Sequence, residues 1–254
     1  SDSTSYTLTQ HNVRLGHYYE SPYFGVQYID EFRLSKGIAR WTENFTPPTR
    51  PYSIIDDQFH TDIDTISDRE IVVGGQIDSY TKLLVHSDST DGNATFVDSS
   101  ANSHPITPAS NAAHSKDQKI FGATSIGLDG AGDFLGISGS ADWNFGTGDF
   151  TVDSWVRFTT VPTGGSGQEI IVGIAGEGTA GNPDGWWLGY NASTSYDTNG
   201  FYFNVGWTSP YNQAATGPAS QEVANANQWY HVAAVRSNGI IRLYVDGNIS
   251  VGEE

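Results

Sequence analysis

No stretch of this 254-residue sequence keeps a helical repeat going for more than about one turn, so the chain must build its core from strands. Apolar residues recur in short alternating or continuous runs, broken by Gly, Asp and Asn, which is the pattern of strands joined by turns. The runs predict strands over residues 13–19, 28–34, 81–86, 134–138, 150–158, 169–175, 185–191, 200–207, 228–237 and 240–245. Asn238-Gly239 stands between the last two and signals a type I′ hairpin turn. A single helical turn is expected at 35–41. The expectation is an all-β protein, a two-sheet antiparallel jelly-roll β-sandwich, and the length is enough for one large core.

Charge narrows the function classes. Asp and Glu number 29 against 12 Lys and Arg, a formal charge of −17. Nucleic acid is excluded as a partner, because its binding rests on basic residues facing phosphates. An acidic balance suits a halotolerant surface or bound divalent cations. The sequence has no Cys, which removes disulfides and thiolate metal sites. It carries no apolar run of about 18 residues, so membrane insertion is not expected. It also lacks Met, so its first residue is not a translation start, and any targeting segment is expected outside it.

Composition divides the chain. Residues 53–80 hold seven acids and one base among scattered Ile and Val, and read as an acidic linker with a local strand at 71–73. The preceding Pro47-Pro48-Thr49-Arg50-Pro51 stiffens the exit from the first segment. The organisation expected is therefore a segment 1–52, a linker 53–80 and a larger segment 81–254.

Five phrases in the larger segment carry a resemblance. They are LLVHSDSTDGNATFVDSS, the turn Leu128-Asp129-Gly130-Ala131-Gly132-Asp133-Phe134, the strand DFTVDSWVRF, Trp229-Tyr230-His231-Val232-Ala233 and Leu243-Tyr244-Val245-Asp246-Gly247. In this order and spacing they resemble the laminin-G-like, concanavalin A-like lectin/glucanase superfamily, over about two thirds of the chain. A domain of that kind should end on a strand of the form Tyr28-Ile29-Asp30-Glu31-Phe32-Arg33-Leu34-Ser35-Lys36-Gly37-Ile38-Ala39-Arg40-Trp41, which occurs here at the opposite end. The resemblance implies one domain in circularly shifted order, with residues 1–52 as its C-terminal strands. Without them, 81–254 would leave strand edges and one side of a core open. Three arrangements supply them. Residues 1–52 fold back across the linker, which at ~3.3 Å per residue reaches up to ~90 Å; they complete a neighbouring copy by strand exchange; or the sequence is one period of a tandem repeat. The position of the cut, inside a Gly- and Glu-containing turn, favours the repeat and assembly readings. The assembly strand then presents Tyr28, Ile29, Phe32, Leu34 and Trp41.

Catalysis is not expected. The glucanase branch of the superfamily carries Glu-x-Asp-x-x-Glu on one strand, setting two carboxylates about 5–5.5 Å apart. That spacing is absent, Glu169 and Glu177 are isolated, and no nucleophile elbow, zinc-binding helix motif or phosphate loop occurs. His231 reads as a core-strand residue. Calcium is the candidate cofactor, a structural ion. The resemblance implies that a last-strand carboxylate, here Asp30, ties that strand to an early loop, with Asp129 and Asp133 as neighbours; the alternative is that Asp30 accepts turn amides and Asp129-Gly130 is only a tight turn. Glycan binding would use Trp186, Trp187, Tyr190, Tyr202, Trp207 and Tyr211, since exposed aromatic rings stack on sugar faces. Alternation turns about half of them into the core, with Trp186 and Trp187 facing opposite ways. Trp41, Trp143, Trp155 and Trp229 read as packing. Sequons at Asn44, Asn93, Asn191 and Asn248 permit glycosylation. These readings converge on a non-catalytic extracellular, cell-surface or virion-surface module whose partners are copies of itself in a filament, repeat protein or phage-type fibre. A monomeric carbohydrate-binding lectin module is the alternative, and a glycan hydrolase the remote one.

Overall fold

The structure is a computed structural model and describes residues 12–17, 26–52, 78–161, 168–175, 185–193, 198–205, 220 and 223–252. These residues form fourteen strands in two antiparallel sheets, with one 3-10 turn at Ala141–Trp143 and no α-helix among them. The six-stranded sheet runs, edge to edge, β11 (Thr198–Val205), β10 (Trp186–Ser193), β9 (Gln168–Ala175), β1 (Asn12–Leu15), β7 (Phe134–Ile137) and β4 (Ile106–Ala109). The eight-stranded sheet runs β14 (Asn248–Gly252), β13 (Ile240–Val245), β12 (Trp229–Ser237), β8 (Phe150–Phe158), β2 (Val26–Lys36), β6 (Ser125–Asp129) and β5 (Ala113–Ser115), and β3 (Thr81–Val85) also pairs with β2.

The first segment enters the middle of both sheets. β1 lies between β9 and β7, with Val13 opposite both Ile174 and Ile137. β2 pairs with β8 along most of its length; on its other edge its first residues meet β6 and its last meet β3. Residues 26–52 thus supply strands and a covering segment to the same sandwich as residues 78–252. Ile29, Phe32 and Leu34 are fully buried in the core between the sheets, beside Leu83, Val152 and Val156 of their own sheet and Leu15, Leu135 and Phe203 of the facing one. This packing follows from period-two alternation, which sends every second residue of a strand inward.

A β-bulge at Asp30–Glu31 interrupts the β2–β8 register, so that Asp30 faces Trp155 and Arg33 faces Asp153. Glu31 takes a φ of 50° there, a left-handed conformation uncommon outside glycine. The bulge keeps Ile29 and Phe32 on the core face while Asp30 and Arg33 share the outer face.

Most predicted strands appear within a residue or two of the expected limits, including 150–158 and 240–245 at full length. The hairpin turn is present, with positive φ at both Asn238 and Gly239. The helical turn expected at 35–41 is not: β2 continues to Lys36, and Gly37, at φ 88°, turns the chain back across the sheet. The five-residue β6 and the edge strands β4, β5 and β14 were not predicted, being short, and in β4 carrying Pro108, which lacks a donor for the ladder. Of the 53–80 linker, 53–77 lie outside the described residues, and Asp78–Tyr80 lead into β3.

Candidate functional site

After Gly37 the chain crosses the outer face of the eight-stranded sheet as a strap, residues 38–52. Arg40 fixes its start: the backbone N–H donates to Thr151 Oγ1 at 3.0 Å, Nε to Ser35 Oγ at 2.9 Å, and Nη2 to Thr81 Oγ1 at 3.0 Å and to Asp78 Oδ1 at 2.9 Å. Trp41 and Phe45 stack with centres 4.0 Å apart, and Trp41 packs with Ala233, Val235 and Tyr244 in a small second core. The strap also abuts the β13–β14 turn, where Phe45 N–H donates to Gly247 O at 2.9 Å and Asn44 Oδ1 accepts from Ile249 N–H at 2.9 Å.

Beneath the strap lies a buried polar cluster. Arg33 Nε is 3.0 Å from Asp153 Oδ1 and Nη2 is 3.2 Å from Oδ2, and both side chains are fully buried. The Tyr52 hydroxyl donates to Asp153 Oδ2, and His231 Nε2 is 3.6 Å from the same oxygen. Glu31 Oε2 accepts the Tyr52 N–H at 2.8 Å, and its carboxylate also meets His86 Nδ1 at 2.8 Å. Burial would push the Asp153 carboxyl up, but Arg33 and His231 outweigh it and hold the group below its ordinary value. Burial, then Asp153, drive the Tyr52 phenol well above its own. Burial works against a charged His86, yet the Glu31 bond raises its value. The charges are compensated and locked in place; every acid in the cluster has a partner.

The predicted site residues fall in different places. Asp30 is fully buried and accepts from Glu31 N–H at 3.0 Å, Ile120 N–H at 2.9 Å and Phe121 N–H at 3.2 Å. Burial pushes its carboxyl up to about 7 against the pull of those amides. Asp129 and Asp133 stand together: Asp133 accepts from the Asp129 and Asn111 N–H groups at 2.9 Å, and Asp129 Oδ2 accepts from Asn111 Nδ2 at 2.8 Å. Burial raises Asp133, and the Asn111 side chain lowers Asp129. Asp30 is not with them, because Asp129 pairs with Val26, four residues along β2. Among the described residues no group of three or more acids or imidazoles is placed to hold a metal ion, and Asp30's oxygens are taken up by amides. Asp30 therefore does not share one site with Asp129 and Asp133.

Trp186, Trp187, Tyr190 and Tyr202 are all buried, between 0% and 8% exposed, so none offers an open ring face; Trp186 and Tyr190 belong to the inter-sheet core, Trp187 does not. Trp207 and Tyr211 lie outside the described residues. Among the tryptophans read as packing, Trp41 and Trp143 are buried, but Trp155 and Trp229 are only partly so. They sit on the outer face beyond the strap with Tyr28, whose register partner Arg157 also pairs with Trp229. Trp155 Nε1 is buried without a hydrogen-bond partner, as is Nδ1 of its neighbour His231. The cluster of Arg33, Asp153, Tyr52 and His86 was missed in the sequence, where Arg33 and Asp153 look like the solvent side of alternating strands.

Fold and strapped face define an antiparallel lectin-type sandwich. Residues 129–250 match the model of a laminin-G family described as the concanavalin A-like lectin/glucanases superfamily. Neither curated proteins nor solved structures give a match. Among the described residues no helix is long and apolar enough to cross a membrane.

Proposed function

We propose that this chain is a non-catalytic extracellular module of a filament, repeat protein or fibre, whose units join by strand complementation. The observation that carries the reading is the position of the first segment: it supplies a middle strand to both sheets and a strap to an outer face. Tyr52, at the end of the strap, is bound to Asp153, which pairs with Arg33, and Asp78, which leads into β3, is bound to Arg40 at its start. Donor and acceptor hold each other by their own contacts, which are the same whether the donor comes from this chain or the next. The non-catalytic part is supported by the acids of the strapped face, each engaged by a cation, a phenol or backbone amides.

Light scattering and electron microscopy of the purified protein over a range of concentrations test this. Assemblies that survive dilution and separate only near the melting temperature are expected, because separating units requires pulling a central strand. Monomers at every concentration would remove the reading. The second reading, a carbohydrate-binding module, is favoured by the partly exposed Tyr28, Trp155 and Trp229 and the unpartnered Trp155 Nε1. Monomers that bind on a glycan array and release no sugar would support it; sugar release would support the hydrolase.

A further inference from the structure

Most of what joins residues 26–52 to the rest of the chain is indifferent to identity. Main-chain ladders accept any strand, and the buried Ile29, Phe32 and Leu34 could be matched by any apolar residues of similar size. Chains that complete one another in this way need some feature that rejects the wrong donor and the wrong register. The Arg33–Asp153 pair has that character. It is fully buried, it spans the junction between β2 and β8, and its two members lie 120 residues apart in the chain.

The register makes the pair selective. Ser35 stands opposite Thr151 and Arg33 opposite Asp153, with the Asp30–Glu31 bulge just beyond. Sliding β2 by two residues one way leaves Asp153 facing the hydroxyl of Ser35. Sliding it the other way sets two carboxylates against a third. Sliding by one residue turns the core face outward. A donor lacking a cation at position 33 leaves Asp153 buried with a phenol and an imidazole alone, and an acceptor lacking Asp153 buries a guanidinium without its anion. Tyr52 reinforces the choice from the far end of the strap, its ring centre 3.9 Å from Arg33 Cζ and its hydroxyl on Asp153.

We propose that the buried Arg33–Asp153 pair, closed by Tyr52, is the key that matches a donor segment to an acceptor body, and that the partner it selects is a second copy of this chain. The inference rests on the complementation reading above and adds which residues decide partner and register. A mismatched donor is expected to bind at least about a hundredfold more weakly, because one buried charge is left uncompensated.

Charge reversal between chains tests it with full-length protein. Arg33→Asp and Asp153→Arg variants are refolded separately and as an equimolar mixture. Alone, each buries two like charges and is expected to yield little folded protein. In the mixture, the donor of the Asp153→Arg chain meets the acceptor of the Arg33→Asp chain with the native pair restored, and the exchanged partner holds the same pair reversed. Folded two-chain species are expected, at least about tenfold above either variant alone. A mixture no better than its parts, or either variant assembling alone as well as wild type, overturns the key. Labelled wild-type chains provide the second measurement: they should take up Arg33→Lys chains nearly as readily as their own and exclude Arg33→Gln. If wild type assembles and admits both equally, only the key fails; if wild type never forms species of more than one chain, the complementation reading fails first.

Discussion

The ring centre of Tyr52 lies 3.9 Å from the Arg33 guanidinium carbon, and the Tyr52 hydroxyl donates to Asp153, the carboxylate that Arg33 grips with two nitrogens. One aromatic residue at the end of the strap thus reads both partners of a buried ion pair. The strap is fastened by polar recognition at Tyr52 and Arg40 and by aromatic packing at Trp41 and Phe45 between them.

Tyr52→Phe keeps the stacking on Arg33 and removes the donor to Asp153. A loss of about 1–3 kcal/mol in unfolding free energy is expected, the range for leaving a buried acceptor short of a bond. Urea unfolding followed by tryptophan fluorescence measures it, and a change below a few tenths would mean that Asp153 does not depend on the phenol.

Arg33→Met leaves the Asp153 charge buried and should cost about 3–5 kcal/mol. Arg33→Met combined with Asp153→Leu removes both charges and should recover most of that loss. A double variant as unstable as the single one would show that the pair is not acting as a unit, and a double-mutant cycle in denaturant gives the coupling directly.

Gly247 has no room for a side chain: an added Cβ would stand 1.8 Å from Phe45 O, and the residue sits at φ +77°. Gly247→Ala should lift the strap from the β13–β14 turn and cost about 1–3 kcal/mol. Thermal melts report the cost, and faster cleavage within 38–52 in limited proteolysis reports the lifting. Unchanged protection there would mean that the turn yields instead.

Asp30 carries a pH dependence. Its folded value, about 7, lies above the ordinary 3.8. A carboxyl raised by folding binds its proton more tightly in the native state, so its contribution is complete below about pH 4 and is lost as pH rises through 7. His86, also raised, adds in the same direction: its contribution is present below its unfolded value and lost as pH rises through its folded one. Stability should therefore fall between pH 4 and neutral pH, and a carbon-13 carboxyl titration should show Asp30 with a midpoint near 7. A midpoint near 4 would mean that the amides of Ile120 and Phe121 outweigh burial.

The strands were legible because alternation and turn residues act locally. Phe150–Phe158 and the Asn238-Gly239 turn carry their own structure. The strapped face was not legible, because alternation assigns Arg33 and Asp153 to an outer face without saying whether anything covers it. The cover is a segment with no secondary structure, and its one sequence sign is the aromatic spacing of Trp41, Phe45 and Tyr52 around the prolines. Asp30 stands out in the sequence as a last-strand carboxylate, with a calcium ion or turn amides as its alternatives, and in the structure it accepts the amides of Ile120 and Phe121. The aromatic run from Trp186 to Tyr202 was legible as strand and misleading as surface: two apolar-rich strands lying within a sheet are covered on both faces.

The central places of β1 and β2 also set a timetable. A ribosome makes β2 first, yet β8, its longest neighbour, follows more than a hundred residues later, and β9, which flanks β1, later still. At ordinary synthesis rates the segment waits on the order of ten seconds for its partners. Until then only β3 and β6, which meet parts of its other edge, are available from its own chain, so whichever body is finished nearest can claim the edge that β8 will take.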